Sequence, residues 1–517
     1  MKMKFTRALC LLLCLLMLVP FSLTACGGGG DDNGDGTTKA PTNTVAPDGG
    51  EDDTIDLENP DFTEWVEVYD MGVDGGARQI NFLTYTDYNT SSYFFRHEGD
   101  ADLEDGDALA IAAGSRTMAI EEAYKVAFNV IDNDKVGTTL QASVMGNGGE
   151  YDLIYPHPTV EMNTILTNGL LQNLYAFDAI DLSKPWWNQD QVHAYSIDDW
   201  LVLGVNNMSI CGQSMVSIVY NKDIYSQEKI GEDLYGMVYN GQWTVSALKT
   251  MAMKFGEGAG DDMILDQNDK CGWFANYHNY NYWAFGGRVF DKDANGEFYI
   301  AIDATQADQM SKALYDILWS SEDKVWCVQD PSNNATFGSS KVLAAFYQGN
   351  ALFYTYDLGA LYKHLWNCSF DVGYLPYPML NTEQDAYYSA SSAGFFGIPQ
   401  KVADKKASGI LLEALAIHSY THMRKTFFET ILLSRMSDNP EDYKMLSFIH
   451  DTKIYDWGLR HIVEHERSDA PSSQNFLVYY VVTKKQESVS GYVSSRKKLW
   501  DRLLDDLSKI RNSEFEG

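Results

Sequence analysis

The chain has 517 residues and a mass of 58.1 kDa, room for about two or three domains. Hydrophobic residues at 45% against 21% charged exclude a wholly disordered polymer. With 39 basic against 72 acidic residues, net −33, charge-driven binding to nucleic acid or to an anionic membrane surface is disfavoured, because phosphate recognition needs clustered Lys and Arg.

The first element is a positive start (Lys2, Lys4, Arg7) followed by an apolar run over 8–23. That run contains Pro20 and is short for a bilayer span, which takes about 20 residues, so it reads as a secretory signal. It ends Leu23-Thr24-Ala25-Cys26 and then four glycines, which resembles a bacterial lipobox. The resemblance implies cleavage after residue 25 and a lipid on Cys26. No other segment reaches about 18 uncharged apolar residues, so none is expected to span a membrane. Residues 27–62 hold ten acidic residues and one Lys among Gly, Thr and Pro, the composition of a self-repelling tether. The tether is taken as 26–77, with folded sequence beginning near Arg78.

In the body, strand and helix signals alternate. Gln79–Tyr85 reads as a strand, 116–131 as a helix, 138–144 as a second strand and Tyr151–Tyr155 as a buried strand. Met215–Asn221 follows as a strand. Thr244 is placed to cap a helix over 245–255. The KVLAAF stretch before Tyr356-Asp357 reads as a strand, as does 371–379 up to its prolines. From 404 onward the pattern is mostly helical. Such alternation implies α/β architecture with parallel strands, where ligands sit at the carboxyl ends of the strands. Cys211, Cys271, Cys327 and Cys368 lie in the body without C-x-x-C spacing, which disfavours structural zinc but permits one or two disulfides.

The ordered pieces YDLIYPHP (151–158), SIVYNKDIY (217–225), the helix opened by Trp243-Thr244, CGWF (271–274), FGGRVFD (285–291), FGSSKVLAAF (337–346), VGYLPYP (372–378) and SAGFFGIP (392–399) resemble the extracellular solute-binding lipoproteins of ABC importers. This is the broad family that includes maltose-binding protein, in a Gram-positive branch. The resemblance runs over about 78–460. It implies a two-lobed periplasmic-binding-protein-like fold, each lobe a mostly parallel sheet flanked by helices, with a hinge between lobes. Crossovers are expected near 206–216, 335–346 and 398–405. Lobe one is then 78–208 plus 345–400, and lobe two 209–344 plus 401–517. The implied role is capture of a carbohydrate in the inter-lobe cleft and delivery to permease subunits, by a monomer anchored outside the cytoplasmic membrane through Cys26. No cofactor is implied.

A sugar site needs polar groups for hydroxyls and aromatic faces for C–H surfaces. Thr86, Asp87, Tyr88 and Asn89 follow the first strand, and Pro156 and His157 follow YDLIY. Gln213 and Ser214 precede VYNK. Residues 276–283 (NYHNYNYW) are both polar and aromatic, and the resemblance marks Tyr280, Tyr282 and Trp283 as stacking candidates. It likewise marks Tyr356 and Asp357, and Phe395 beside Phe396. Each has a plainer use: aromatics pack cores, Asp87 and Asp357 suit helix N-caps, and His157 suits a proline-flanked loop.

Other chemistry has weaker footing. His461-Ile-Val-Glu464-His465 matches H-x-x-E-H, but reads equally as a charged helix face. Asp291–Gly296 begins like a calcium loop, yet position twelve is Ile302, so the bidentate Glu is missing and a hairpin turn serves as well. No phosphate-binding glycine loop or G-x-S-x-G elbow occurs. An exported hydrolase, a peptide-binding protein, and a surface sensor on the same fold remain as alternatives.

Overall fold

The computed structural model describes residues 62–157, 160–212, 216–258, 268–275, 281–320, 324–327, 339–357, 368–390, 394–427, 439–458, 477–482 and 484–515. The signal segment, Cys26 and most of the tether lie outside them.

The first sheet is parallel, in the order β2-β1-β3: β1 (Arg78–Tyr85), β2 (Val126–Asn133) and β3 (Leu153–Tyr155). A short helix α1 (Tyr88–Ser92) follows β1, and α2 (Ala108–Tyr124) then leads into β2. Asp107 starts α2 by accepting from the amides of Leu109 and Ala110. Its buried stripe Leu109, Ala113, Ile120, Tyr124 faces the core. It stops at Lys125, a non-glycine residue at φ 56°. Helix α3 (Val136–Met145) then crosses from β2 to β3. The helix expected over 116–131 is therefore a helix ending at Tyr124 followed by a strand, and the strand expected over 138–144 is helical.

Beyond β3 the first sheet is extended by antiparallel bridges to the two crossover segments, Ile154 to Gly397 and Gly204 to Phe396, and by Trp187 to Asn206. Helix α4 (Gln189–Tyr195) lies beside these crossovers. The chain then forms a five-stranded sheet, β10-β4-β9-β5-β8. Its strands are β4 (Val216–Asn221), β5 (Cys271–Ala275), β8 (Val325–Cys327), β9 (Ala351–Asp357) and β10 (Val372–Leu375). Strand β4 runs antiparallel to both β9 and β10, while β5 is parallel to β8 and β9. Helix α5 (Val245–Phe255) packs on β5, and the Thr244 hydroxyl caps it by accepting from Ala247 N. A small helix α6 (Asn281–Ala284) precedes the hairpin β6 (Phe290–Lys292) and β7 (Phe298–Ile300). Helix α7 (Ala304–Trp319) follows. The KVLAAF stretch is helical, within α8 (Ser339–Tyr347) beside β9, and is not a crossover strand.

After β11 (Ser389–Ala390) the chain returns to the first sheet and forms α9 (Lys405–His418). Helix α9 is fixed there by Arg78 donating to Asp404 at 2.7 Å, and by the Trp186 and Trp187 indoles donating to Glu413 at 2.7 and 2.9 Å. Helix α10 (Pro440–Asp451) packs on β10 of the larger sheet. Strand β12 (Lys453–Ile454) pairs with β11. The C-terminal α11 (Ser490–Phe515) packs on α7. These contacts divide the chain differently from the expectation. Strands β9 and β10, expected in lobe one, pair in the second sheet, and α9, expected in lobe two, is held beside the first.

Cys271, whose thiol donates to Lys324 O at 3.3 Å, and Cys368 carry thiols, and the side chains of Cys211 and Cys327 lie outside the described residues.

Candidate functional site

Three strand ends meet at the carboxyl edge of the first sheet, and register decides which side chains share it. Tyr85 ends β1 opposite Asn133, and Thr84 lies opposite Asp132 of β2. Tyr155 ends β3 opposite Thr84, so the 156–157 loop emerges beside the turn after β1.

That turn is made by Asp87, in the left-handed region at φ 65°. Asp87 holds the N-cap position of α1, but its side chain makes no capping hydrogen bond. The carboxylate is exposed at the edge. Left-handed backbone at a non-glycine residue costs about 1–3 kcal/mol and concentrates at functional loops.

Around Asp87 the rings gather. Tyr88 lies 5.3 Å from Tyr85 and 5.8 Å from His157, near parallel to the latter at 23°. His157 is 4.8 Å from Tyr85, and Tyr88 is 5.7 Å from Tyr155. Tyr85, Tyr88 and His157 are half-buried, leaving part of each ring accessible, whereas Tyr155 is core. His157 Nδ1 accepts from Val160 N at 3.1 Å, which in the neutral ring puts the proton on Nε2. Asn89 serves this wall structurally: its side chain accepts from Phe95 N and its carbonyl from Arg96.

Asp132 at the end of β2 also belongs to this edge. Burial pushes its carboxyl above the usual range, and the Asp87 charge adds to the effect. Two carboxylates and three aromatic rings thus converge. The expected set omitted Asp132 because residues up to 131 read as helix; the alternation of buried Val126 and Phe128 before an Asp-Asn-Asp turn was the available signal.

The loops after β2 and β3 are braced against each other. Glu161 accepts from Thr138 N at 2.9 Å and from the Thr138 hydroxyl at 2.6 Å, placing a carboxylate on the first turn of α3. Gly137 permits this approach, since a Cβ there would sit 2.7 Å from the Glu161 Cβ.

The second sheet contributes an edge by the same logic. Strand β4 is antiparallel to β9 and β10, and β5 is parallel to β9. The segment before β4 and the segments after β5, β9 and β10 therefore emerge on one side. The chain reaches β4 from the 202–212 crossover, and Ser389 Oγ pins the returning crossover to Val216 O at 3.2 Å. Ser214 and Gln213 before β4, and Tyr280 after β5, lie outside the described residues. Tyr356 and Asp357 end β9 at this edge, their side chains likewise outside the described residues.

Three of the expected residues are placed inside. Tyr282 is 2% exposed, donates to Arg288 O and lies over Gly287. Trp283 is 0% exposed, with its indole donating to Asp456 at 2.7 Å. Phe395 is 0% exposed and 5.6 Å from Tyr195, while Phe396 packs on Phe82, Phe94 and Tyr155. In this conformation none of these rings is open at the edge.

Other candidates resolve elsewhere. The Asp293 carboxylate in the β6–β7 turn accepts from Asn295 N and Glu297 N, so it closes the hairpin. His461, Glu464 and His465 lie outside the described residues. Among the described residues no cluster of three or more His, Cys, Asp or Glu could hold a metal. A cavity of about 740 Å³ on lobe one, lined by Trp65, Phe177 and Lys405, is separate from both edges. Lys406 pairs there with Glu67 at 2.8 Å.

Residues 101–416, more than half of the chain, match the model of the bacterial extracellular solute-binding proteins, and the chain belongs to that family. The family is one of extracellular binding proteins rather than enzymes. Among solved structures, the GacH receptor of Streptomyces glaucescens, studied unliganded and with acarbose, is similar at TM-score 0.51 and 12% identity, over 83% of this chain and 99% of its own. A cyclo/maltodextrin-binding protein complexed with maltotetraose is similar at 0.51 and 15%, over 86% and 98%. UgpB from Mycobacterium tuberculosis, complexed with glycerophosphocholine, is similar at 0.50 and 14%, over 85% and 100%. The fold is thus the two-lobed periplasmic-binding-protein-like α/β fold. Among curated proteins none matches the sequence. No helix of the described residues is long and apolar enough to cross a membrane.

Proposed function

We propose that this protein captures a carbohydrate, most simply an oligosaccharide, between the two facing sheet edges and delivers it to the permease of an ABC importer. The observation that carries the reading is the half-buried Tyr85–Tyr88–His157 group beside Asp87 and Asp132 at the carboxyl edge of the first sheet. Aromatic rings offer faces to the C–H side of a sugar ring, and paired carboxylates accept from its hydroxyls. Acarbose and maltotetraose, bound by two proteins of like fold, support the sugar class; glycerophosphocholine, bound by a third, defines the competitor.

Ser214, Tyr280, Tyr282, Trp283, Tyr356, Asp357 and Phe395 complete the proposed lining, the buried ones through rearrangement of their loops on binding. Hinge closure between lobes would enclose the solute, sized by its preference for the closed form. The lipid on Cys26 and the acidic tether would hold the monomer outside the cytoplasmic membrane. A thermal-shift panel of maltodextrins, other oligosaccharides, peptides and glycerophosphodiesters tests the ligand class. A rise in Tm with an oligosaccharide supports the reading; a rise only with the other classes overturns it.

A further inference from the structure

Outside the candidate site, one group of contacts joins the two lobes without a covalent link. Helix α4 belongs to lobe one: Gln191 Nε2 donates to Leu203 O at 2.8 Å and its Oε1 accepts from Val205 N at 3.1 Å, tying α4 to the first crossover. The last turn of any helix presents carbonyls that the helix itself does not use. In α4 two of them are taken by lobe two. The Lys292 ammonium, on β6, donates to His193 O. The Trp457 indole donates to Tyr195 O at 3.1 Å. A cation at a helix C-terminus is also favoured by the helix dipole.

The rings repeat the link. Tyr195 stacks on Trp457 at 4.6 Å and 21°, and both are almost wholly buried. Tyr195 Oη donates back to Asp456 O at 3.3 Å. Tyr455 meets the same ring edge-on at 6.0 Å. On the lobe-two side the segment is anchored by the Asp456 carboxylate. That group accepts from Trp283 Nε1, Val289 N, Phe290 N and Gly458 N, at 2.7 to 3.1 Å. Lys292 is steadied by the Phe298 ring at 5.1 Å.

We propose that Tyr455–Trp457 and Lys292 form a non-covalent strap on α4 that acts with the backbone crossovers to set the range of inter-lobe angles. The crossovers are backbone segments, the first ending in a 3-10 turn at Asn207–Gly212, and can bend by changes in φ and ψ. The strap is side-chain packing and directional hydrogen bonding beside them. Any rotation of one lobe against the other must carry these contacts along or break them. Through Asp456 the strap also holds α6, which leads out of the 276–280 segment; that last link to solute rests on the reading of 276–283 as cleft wall, whereas the strap itself does not.

The test needs no solute. Bio-orthogonal spin labels are placed at exposed Met118 on lobe one and exposed Gln227 on lobe two of the mature chain, and the inter-label distance distribution is measured by double electron–electron resonance. Lys292→Met and Trp457→Phe each remove one donor and keep most of the side-chain volume. Lys312→Met, at an exposed lysine of α7, is the control. A broadened distribution with a shifted mean in both variants, beside an unchanged control, is the expected result. If Trp457→Phe does not fold cooperatively by circular dichroism, Lys292→Met carries the test alone. Distributions identical to the unsubstituted protein overturn the strap. Because no sugar is present, that failure is distinguishable from failure of the carbohydrate reading.

Discussion

Tyr88 can be removed without opening the core, because it is half-buried at the sheet edge and its helix has only five residues. Tyr88→Ala should weaken oligosaccharide binding about tenfold, about 1.4 kcal/mol by titration calorimetry, with little change in Tm. An unchanged affinity would remove Tyr88 from the site. Asp442 is the opposite case. It is 1% exposed and accepts from Lys222 Nζ at 2.6 Å and from the Tyr235 hydroxyl at 2.5 Å. Asp442→Ala strands a cation and a hydroxyl, and should cost about 3–5 kcal/mol in urea denaturation. The placement of Asp87, Tyr88 and His157 at a sheet edge was legible, because each follows a recognisable strand. The inward placement of Trp283 was not legible. Its partner Asp456 is 173 residues away in sequence, and no local pattern carries such a pairing.

Element by element, recognition succeeded where local chemistry and tertiary role agree. Gln79–Tyr85 is apolar, alternates and is a strand; Thr244 caps its helix through its own hydroxyl. It failed where the two diverge. Helix α2 ends at Lys125 without glycine or proline, so the apolar stretch beyond it continued the helical pattern. Helix α3 is rich in Thr and Val, yet it bridges parallel strands and takes a carboxylate from Glu161 on its first turn. Gly137→Ala should push that glutamate away and lower stability by about 1–3 kcal/mol, read as a lower urea midpoint. Helix α9 offers a pH handle. Burial pushes the Glu413 carboxyl up to about 7, against the Trp186, Trp187 and Asp181 donors that pull it down. A carboxyl raised above its unfolded value favours the fold most below that value, and the contribution is lost as pH rises through about 7. Tm should therefore fall between about pH 4.5 and 7. Glu413→Gln, which cannot ionise, should flatten that fall; an equal slope in both proteins would contradict the assignment.

At the scale of the molecule, alternation of strands and helices implied α/β architecture and the family resemblance implied two lobes; the family match and the similar folds agree with both. The division of the chain between lobes was harder to read. A strand such as β10 shows in the pattern over 371–379, but its sheet is decided by pairing with β4 across more than a hundred residues. Helix α9 likewise belongs to lobe one because Trp186 and Trp187 reach its Glu413. The acidity of the chain sits partly in residues 27–62, and partly in Asp87 and Asp132 at the proposed solute edge. The most direct measurement is the structure of the protein loaded from its native extract. The expected result is a sugar between the lobes, with a ring against Tyr88 and His157 and hydroxyls on Asp87 or Asp132. A peptide or phosphodiester at that edge, or a solute bound away from it, would overturn the carbohydrate reading.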